Sequence, residues 1–388
     1  MTVISVPARQ TYLLQNMIKT TAVELKHAEK MMVTWDIGKR CNFDCTYCDS
    51  TRHTNDSPHA SLETLIETFQ FVKAWTGLYN SKRIVPDDIN MNFTGGEPTN
   101  NPHFWDFIDY ITTNHPNFAI GITTNGTWNS KKIGIIKKHR IAMTVSVHME
   151  SDDKIRHMAL QNILALHQAG GWLQVNVMLH MDHWDRTMEA CDFLDLHNIK
   201  YSPVPVGDGP TDTAKWVSDH RGIMRRTTHT YSAEQQQWFF NKMGITAEQA
   251  EERKGNKLGR ACCGSRQICG KVDNQWQDVK LINTEFKDWN CMVDWYFLHI
   301  DQEYKQVYHH QTCQALRGGK RGAIGSLDDT ELLLANLKSM LEQSTVDPII
   351  CPNQRCGCGM CVPKAKDASE FKILWTKLTN VPIQETRS

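Results

Sequence analysis

Three cysteines stand close together in the segment KRCNFDCTYCDS, residues 39–50. Cys41, Cys45 and Cys48 have the spacing C-x3-C-x2-C, which places three thiols on one short loop. Three thiolates can hold three irons of a 4Fe-4S cluster and leave the fourth iron without a protein ligand, so that a small molecule can bind it. The alternative is a structural zinc ion, which needs a fourth nearby ligand, and His53 is the candidate.

This loop resembles the hallmark of the radical S-adenosylmethionine (SAM) superfamily, in which an aromatic residue, here Tyr47, precedes the last cysteine. The resemblance implies that the amino and carboxylate groups of SAM chelate the open iron and that Tyr47 lies near the adenine. It also implies the chemistry: an electron from the cluster cleaves SAM to methionine and a 5′-deoxyadenosyl radical.

A second motif, FTGGEP at residues 93–98, resembles the glycine-rich SAM-binding motif of the superfamily. Gly95 and Gly96 would let the backbone approach the ligand closely, because glycine has no side chain. Glu97 would accept hydrogen bonds from the methionyl ammonium. Its position about fifty residues after the cysteine loop, at a predicted strand end, distinguishes this motif from an ordinary turn.

Two later segments complete the resemblance: TTNG at residues 123–126 and VSVHMESDDKIR at residues 145–156. His148 stands where relatives commonly carry Asp, so a role of that Asp does not transfer, and both a structural and a functional role stay open. The further SAM-binding residues that the resemblance implies are Asn125, Ser146 and Arg156.

The C-terminal third of the chain contains nine more cysteines, more than one cluster can use. The arrangement resembles the SPASM domain, which holds auxiliary clusters in peptide-modifying radical SAM enzymes. The run CPNQRCGCGMC, residues 351–361, departs from the usual SPASM spacing, and a zinc knuckle is the alternative there. The eight ligands that the resemblance implies are Cys263, Cys269, Cys291, Cys313, Cys351, Cys356, Cys358 and Cys361.

These eight cysteines would hold two further 4Fe-4S clusters. One cluster would use Cys263, Cys269 and Cys291, with Cys313 to complete it, and the other would use the four cysteines of 351–361. Cys191 and Cys262 are then left over, and free cysteines are usually small buried hydrophobes. Cys262 would be a hydrogen donor only in an enzyme that inverts a stereocentre.

The bulk composition is that of an ordinary globular protein, with 40% hydrophobic and 22% charged residues among 388. No apolar stretch approaches the ~20 residues of a membrane span, and no signal peptide is visible, so we expect a cytoplasmic protein without a membrane partner. The formal net charge of zero gives no general field that would attract nucleic acid.

Apolar runs rich in β-branched residues alternate with amphipathic stretches from about residue 31 to 205, which predicts six βα units. Crossover helices cover a parallel sheet, so we expect an α/β fold with a partial (β/α)6 TIM-like barrel and a small cysteine-rich C-terminal domain. The aromatic segment 288–300 is expected to form core packing. The predicted divisions are an N-terminal lead segment (1–30), a radical SAM core (31–210), a helical linker (211–259) and a SPASM-like domain (260–388).

By family analogy, the leading expectation is a radical SAM enzyme that modifies a ribosomally made peptide by crosslinking, dehydrogenation or epimerisation. Its partners would be the peptide, a reductant such as flavodoxin or ferredoxin, and a separate leader-binding protein. The first alternative acts on a small molecule, as an amino-sugar dehydrogenase or a deazapurine synthase does, and Asp49 directly after Cys48 resembles the latter. The second is a non-catalytic, metal-stabilised binding protein that binds no SAM.

Overall fold

A computed structural model describes most of the first half of the chain and parts of the second. The described residues are 31–48, 54–83, 89–206, 216–218, 224–226, 231–243, 271–272, 275–276, 287–309, 323–343, 349–351, 364–365 and 367–380. They fall into two compact units. The first takes its residues from 31–34, 63–90 and 260–388, and the second from 35–62 and 91–259. The four sequence divisions given above stay a prediction.

Strands and helices alternate strictly along the first part of the described chain. In order they are β1 (Met31–Asp36), α1 (Leu62–Asn80), β2 (Ile89–Thr94), α2 (Phe104–Asn114), β3 (Phe118–Thr124), α3 (Ile133–Lys138), β4 (Ala142–Val147), α4 (Asp153–Gln168), β5 (Leu173–Leu179), α5 (Trp184–Leu196) and β6 (Tyr201–Pro205). The strands neighbour one another in sequence order, and β3 to β6 are paired in parallel. The predicted α/β fold with a parallel sheet is therefore confirmed.

The two faces of this sheet differ in chemistry. Alternate residues such as Phe93, Ile122, Val145 and Val177 are buried, and α2, α4 and α5 pack against the strands. The residues between them are polar and less buried: the registers place Thr123 beside Thr144 and Ser146 beside Asn176. Since strand residues alternate between faces, the parallel strands have one apolar face under the helices and one polar face.

The second unit also contains a helix after β6. The strands β7 (Trp216–Ser218) and β8 (Met224–Arg226) pair with each other, and α6 (Ala233–Lys242) follows. Ser232 caps this helix by accepting from Gln235 N, while the Gln235 side chain accepts from Ser232 N. This reciprocal capping explains where the helix starts.

In the first unit, β1 neighbours a group of short strands that pair antiparallel with one another. The elements of this unit after residue 260 are, in order, β9 (Lys271–Val272), β10 (Gln275–Trp276), β11 (Asn290–Cys291), α7 (Val293–Tyr296), β12 (Phe297–Asp301), β13 (Gln306–Tyr308), β14 (Gly325–Ser326), α8 (Thr330–Gln343), β15 (Ile349–Ile350), β16 (Lys364–Ala365) and α9 (Ala368–Leu378). The sheet order on this side is β14-β13-β12-β1. The edge of β1 that β6 would occupy in a closed sheet is therefore occupied by β12. Among the described residues β6 and β1 do not pair, so the sheet is open.

Aromatic side chains form the core of the first unit. Trp295 meets Tyr79 and Trp375 edge to face, with ring centroids 5.1 and 4.2 Å apart. All three side chains are buried. The segment 288–300 therefore packs as core, as the sequence predicted, because its large rings are enclosed by α1 and α9. No helix in the described part of the chain is long and apolar enough to cross a membrane.

Candidate functional site

The cysteine loop follows β1, and the glycine-rich turn after β2 packs directly on it. Gly96 N donates to Gly38 O, and Glu97 N donates to Arg40 O, both at 2.9 Å. A Cβ on Gly96 would lie 2.3 Å from the carbonyl oxygens of Lys39 and Arg40. Gly96 is thus required for close contact between the two predicted motifs. The adjacent Gly95 has a φ of +121°, which also favours glycine.

The three thiols of this loop are arranged as prospective ligands. Cys45 is buried, and Cys41 and Cys48 are half-buried. Phe43 N points at Cys41 Sγ at 3.4 Å, a donor that favours a thiolate. Burial raises the pKa of Cys41 to about 11 and that of Cys45 to about 12, so the thiols lose their protons only when a cation offsets the charge.

A 4Fe-4S cluster fits this donor set. Each cysteine of such a cluster would bind a different iron, whereas a structural zinc ion takes four ligands around one centre. No group of three His, Cys, Asp or Glu side chains in the described residues is arranged around a single metal ion. His53, the candidate fourth zinc ligand, lies outside the described residues.

Glu97 joins the ends of β2 and β3. Its side chain is only 3% exposed. Oε1 accepts from Thr99 N and Oγ1 and from Thr124 Oγ1, and Oε2 accepts from Asn125 N at 2.6 Å. Burial raises the pKa of Glu97, and these hydrogen bonds oppose the shift. These bonds fix the carboxylate at the ends of β2 and β3, and its contact with the methionyl ammonium stays a prediction.

Asn125 connects β3 to the cysteine loop. Its Nδ2 donates to Asn42 Oδ1 at 2.7 Å, and its Oδ1 accepts from Thr127 N and Oγ1. Asn42 in turn donates to Thr127 Oγ1 at 3.0 Å. This second connection, together with Glu97, fixes the cysteine loop against two strand ends.

The other two predicted SAM residues have different surroundings. Ser146 lies on the polar face of β4, half-buried, and its hydroxyl has no hydrogen-bond partner within the described residues. Arg156 is buried on α4, where its guanidinium pairs with Asp153 at 2.7 Å and with Glu189 at 3.1 Å. Ser146 is therefore available to a ligand, and Arg156 is held by two carboxylates.

Residues after β4 and β5 reach the cysteine loop as well. His148 Nδ1 lies 2.6 Å from the Tyr47 hydroxyl, and burial lowers the pKa of His148 to about 4. Glu150 accepts from Thr46 N at 2.6 Å and from His180 Nε2 at 2.7 Å. Sequence reasoning missed Glu150 and His180, although both stand beside strand ends, where the chemistry was expected.

Only two predicted auxiliary ligands lie in the described residues. Cys291 on β11 pairs with Ile349 on β15, and Cys351 N donates to Trp289 O at 2.9 Å. Alternate strand residues share a face, so Cys291 and Cys351 point to the same side of this small sheet, and both are buried. The remaining cysteines, Cys262, Cys263, Cys269, Cys313, Cys356, Cys358 and Cys361, lie outside the described residues.

Comparison with known proteins identifies the part of the chain that carries this loop and turn. Residues 35–212, just under half of the chain, match the model of the Radical SAM superfamily. This segment is a radical SAM domain. The match contains the cysteine loop, the glycine-rich turn and β2 to β6, so the family expected from the motifs is confirmed for this domain. A SPASM domain is not identified by this match.

Two curated relatives share parts of the radical SAM domain. Mycofactocin maturase MftC of Mycobacterium ulcerans is 28% identical over 94 residues, which are 24% of this chain and 22% of that protein. GTP 3′,8-cyclase of Vibrio vulnificus is 28% identical over 175 residues, or 42% of this chain and 49% of that protein. The chain thus spans about a fifth of the maturase and about half of the cyclase.

Two solved structures align with most of this chain. Streptococcus suis SuiB has 13% identity and a TM-score of 0.45, over 87% of this chain and 75% of that chain. Native anSMEcpe with bound AdoMet has 11% identity and a TM-score of 0.47, over 90% of this chain and 96% of that chain.

Proposed function

We propose that the chain is a radical SAM enzyme that abstracts a hydrogen atom from an unactivated carbon of its substrate. The observation that carries this proposal is the packing of the Gly95–Gly96 turn on a loop of three thiols inside a radical SAM domain. A 4Fe-4S cluster on Cys41, Cys45 and Cys48 would supply the electron that cleaves SAM to methionine and a 5′-deoxyadenosyl radical.

The protein residues would divide the remaining tasks. Glu97 and Asn125 hold the cysteine loop against β2 and β3, so their side chains fix the geometry of the site. Ser146, with its available hydroxyl on the polar face, is proposed to contact SAM. Arg156 is proposed to position α4 against α5, because its guanidinium pairs with Asp153 on α4 and with Glu189 on α5.

The proposed substrate is a ribosomally made peptide. This rests on the cysteine-rich C-terminal region and on the similarity of part of the domain to a maturase. A flavodoxin or ferredoxin would deliver the electron, and a separate protein would present the leader. The similarity to GTP 3′,8-cyclase favours the second candidate, a small-molecule substrate.

Two auxiliary 4Fe-4S clusters are proposed for the C-terminal region, where they would accept the substrate electron or anchor the substrate. The shared face of Cys291 and Cys351 supports placing both on one cluster, which differs from the partition that the spacing suggested. Reconstituted protein should then hold about twelve irons, and a variant without the three loop cysteines about eight. Zinc in place of this iron would support the zinc knuckle.

The experiment that separates the substrates uses a short precursor peptide, for which an open reading frame beside this gene is the expected source. Incubation with SAM and a reductant should give a peptide lighter by two hydrogens if the enzyme crosslinks or dehydrogenates, which we favour. Epimerisation would instead leave the peptide mass unchanged in ordinary water and introduce deuterium at the modified carbon in heavy water. The epimerised product would be lost in Cys262→Ala. Turnover of GTP or an amino sugar, with the peptide unchanged, would identify the small-molecule alternative. A protein that binds no SAM would be the non-catalytic alternative.

A further inference from the structure

One side chain from outside the cysteine loop, His148, lies beside Cys45. His148, just after β4, places Nδ1 3.5 Å from Cys45 Sγ and 2.6 Å from the Tyr47 hydroxyl. The Tyr47 and His148 rings are stacked, with centroids 6.0 Å apart and planes 7° apart. Phe43 meets the edge of the same imidazole, with centroids 5.6 Å apart. Packing on two sides thus fixes the imidazole beside the sulfur.

The backbone that carries Tyr47 is held from the same strand end. The Glu150 carboxylate accepts from Thr46 N at 2.6 Å and from the Thr46 hydroxyl. His180 donates to Glu150 at 2.7 Å from the end of β5. Thr46 and Tyr47 are two neighbouring residues between Cys45 and Cys48, so the segment between these cysteines is constrained at both positions.

The hydrogen positions follow from the charge on sulfur. A Cys45 thiolate bound to iron is a hydrogen-bond acceptor, and donors to ionised groups form the stronger bonds. In one arrangement His148 Nδ1–H donates to Cys45 Sγ. In the other, Nδ1–H donates to the Tyr47 oxygen, and the Tyr47 hydroxyl donates to the same sulfur. Both arrangements give the Cys45 thiolate one hydrogen-bond donor. If the Tyr47 hydroxyl donated to His148 Nδ1 instead, the thiolate would have no donor from this pair.

We propose that His148 and Tyr47 together supply a hydrogen bond to the Cys45 thiolate and thereby raise the reduction potential of the radical SAM cluster. The inference rests on the proposed function, because it needs a cluster on Cys45. Hydrogen bonds to the sulfurs are among the factors that set cluster potentials. The reduced cluster carries one more negative charge, so the donor stabilises it more than the oxidised cluster. His148 and Tyr47 act through Cys45 and are positioning residues.

The test is a redox titration of the full-length, anaerobically reconstituted protein without SAM, followed by the electron paramagnetic resonance signal that the variant without the three loop cysteines lacks. Tyr47→Phe keeps the stacked ring and removes the hydroxyl, and His148→Phe removes Nδ1. In each variant we expect the reduction equilibrium to become about tenfold less favourable, a fall of about 59 mV for one electron. His148→Asn keeps an amide donor near the Nδ1 position and should recover at least half of the shift.

Thr46→Val is the matched control, because it removes a hydroxyl between the same two cysteines that bonds to Glu150 and not to sulfur, while Thr46 N still donates to Glu150 and holds the segment. Its potential should equal that of the wild type. An equal fall in Thr46→Val, or unchanged potentials in Tyr47→Phe and His148→Phe with full iron content, would overturn the inference and leave the proposed function intact. Wild-type protein that assembles no 4Fe-4S cluster would overturn the proposed function itself.

Discussion

The carboxylate of Glu97 accepts a 2.6 Å hydrogen bond from the backbone amide of Asn125. Glu97 lies in the glycine-rich turn after β2, and Asn125 follows β3, so this bond joins the ends of two neighbouring strands. Asn125 then continues to Asn42 in the cysteine loop. Hydrogen bonds from Glu97 through Asn125 to Asn42 therefore connect the glycine-rich turn to the cysteine loop. These bonds give the buried carboxylate its partners.

Replacing Glu97 by glutamine should destabilise the protein. Both carboxylate oxygens accept from donors, including the amides of Thr99 and Asn125, and an amide nitrogen cannot accept either bond. One buried donor is left without a partner, at a cost of about 1–3 kcal/mol. Urea unfolding of Glu97→Gln measures this loss, and Glu67→Gln on the exposed face of α1 is the control. Equal unfolding midpoints for both variants would contradict the account.

A methyl group on Gly96 should separate the glycine-rich turn from the cysteine loop. Its Cβ would lie 2.3 Å from two backbone oxygens, so the backbone must move, at a cost of about 1–3 kcal/mol. Gly96→Ala should unfold at lower urea concentration and bind less iron on reconstitution. Gly134→Ala on α3 is the matched control, since nothing lies within 4 Å of that position and alanine favours a helix. Full iron content in Gly96→Ala would show that the turn does not support the loop.

The carboxylate of Glu150 should make stability depend on pH. Burial alone would raise its pKa, but hydrogen bonds from His180 and Thr46 outweigh burial and lower it to about 2 from an ordinary 4.5. A lowered pKa in the folded state gives stability that is present above pH 4.5 and lost as the pH falls towards about 2. Glu150→Gln should be less stable at pH 6 and should lose less on acidification. Parallel pH curves for Glu150→Gln and wild type would contradict this assignment.

The aromatic core of the first unit should respond strongly to truncation at its centre. Trp375 is completely buried and contacts Trp295, so Trp375→Ala should cost about 3–5 kcal/mol. Ile373 is 57% exposed on the same helix, and Ile373→Ala should cost far less. Thermal unfolding monitored by tryptophan fluorescence compares the two variants. Similar midpoints would mean that this aromatic contact does not support the fold.

The sequence could predict the parallel sheet because strand and helix periodicity is local and strong from β1 to β6. It could also place the cysteine loop and the glycine-rich turn at strand ends. The antiparallel strands β12 to β14 are short and lack a comparable pattern. The helix α8 was not predicted, although Leu333, Leu337 and Leu341 are buried at helical spacing.

The contacts of the candidate site were harder to predict than its motifs. Glu150 lies 104 positions from Thr46 in the sequence, and His148 lies 101 positions from Tyr47. No spacing rule relates such residues, because only the parallel order of the strands brings their ends together. The identity of Glu97 as an important residue was predictable, but its bonds to Thr124 and Asn125 depend on the packing of β2 beside β3.

The central claim is most directly tested by the conversion of SAM to 5′-deoxyadenosine. Anaerobically reconstituted wild-type protein with dithionite should form 5′-deoxyadenosine, and the triple variant Cys41→Ala, Cys45→Ala, Cys48→Ala should form none. Cys191→Ala, which removes a buried cysteine on α5, should retain the wild-type rate. Equal 5′-deoxyadenosine formation by the triple variant and the wild type would contradict the assignment of this loop to a radical SAM cluster.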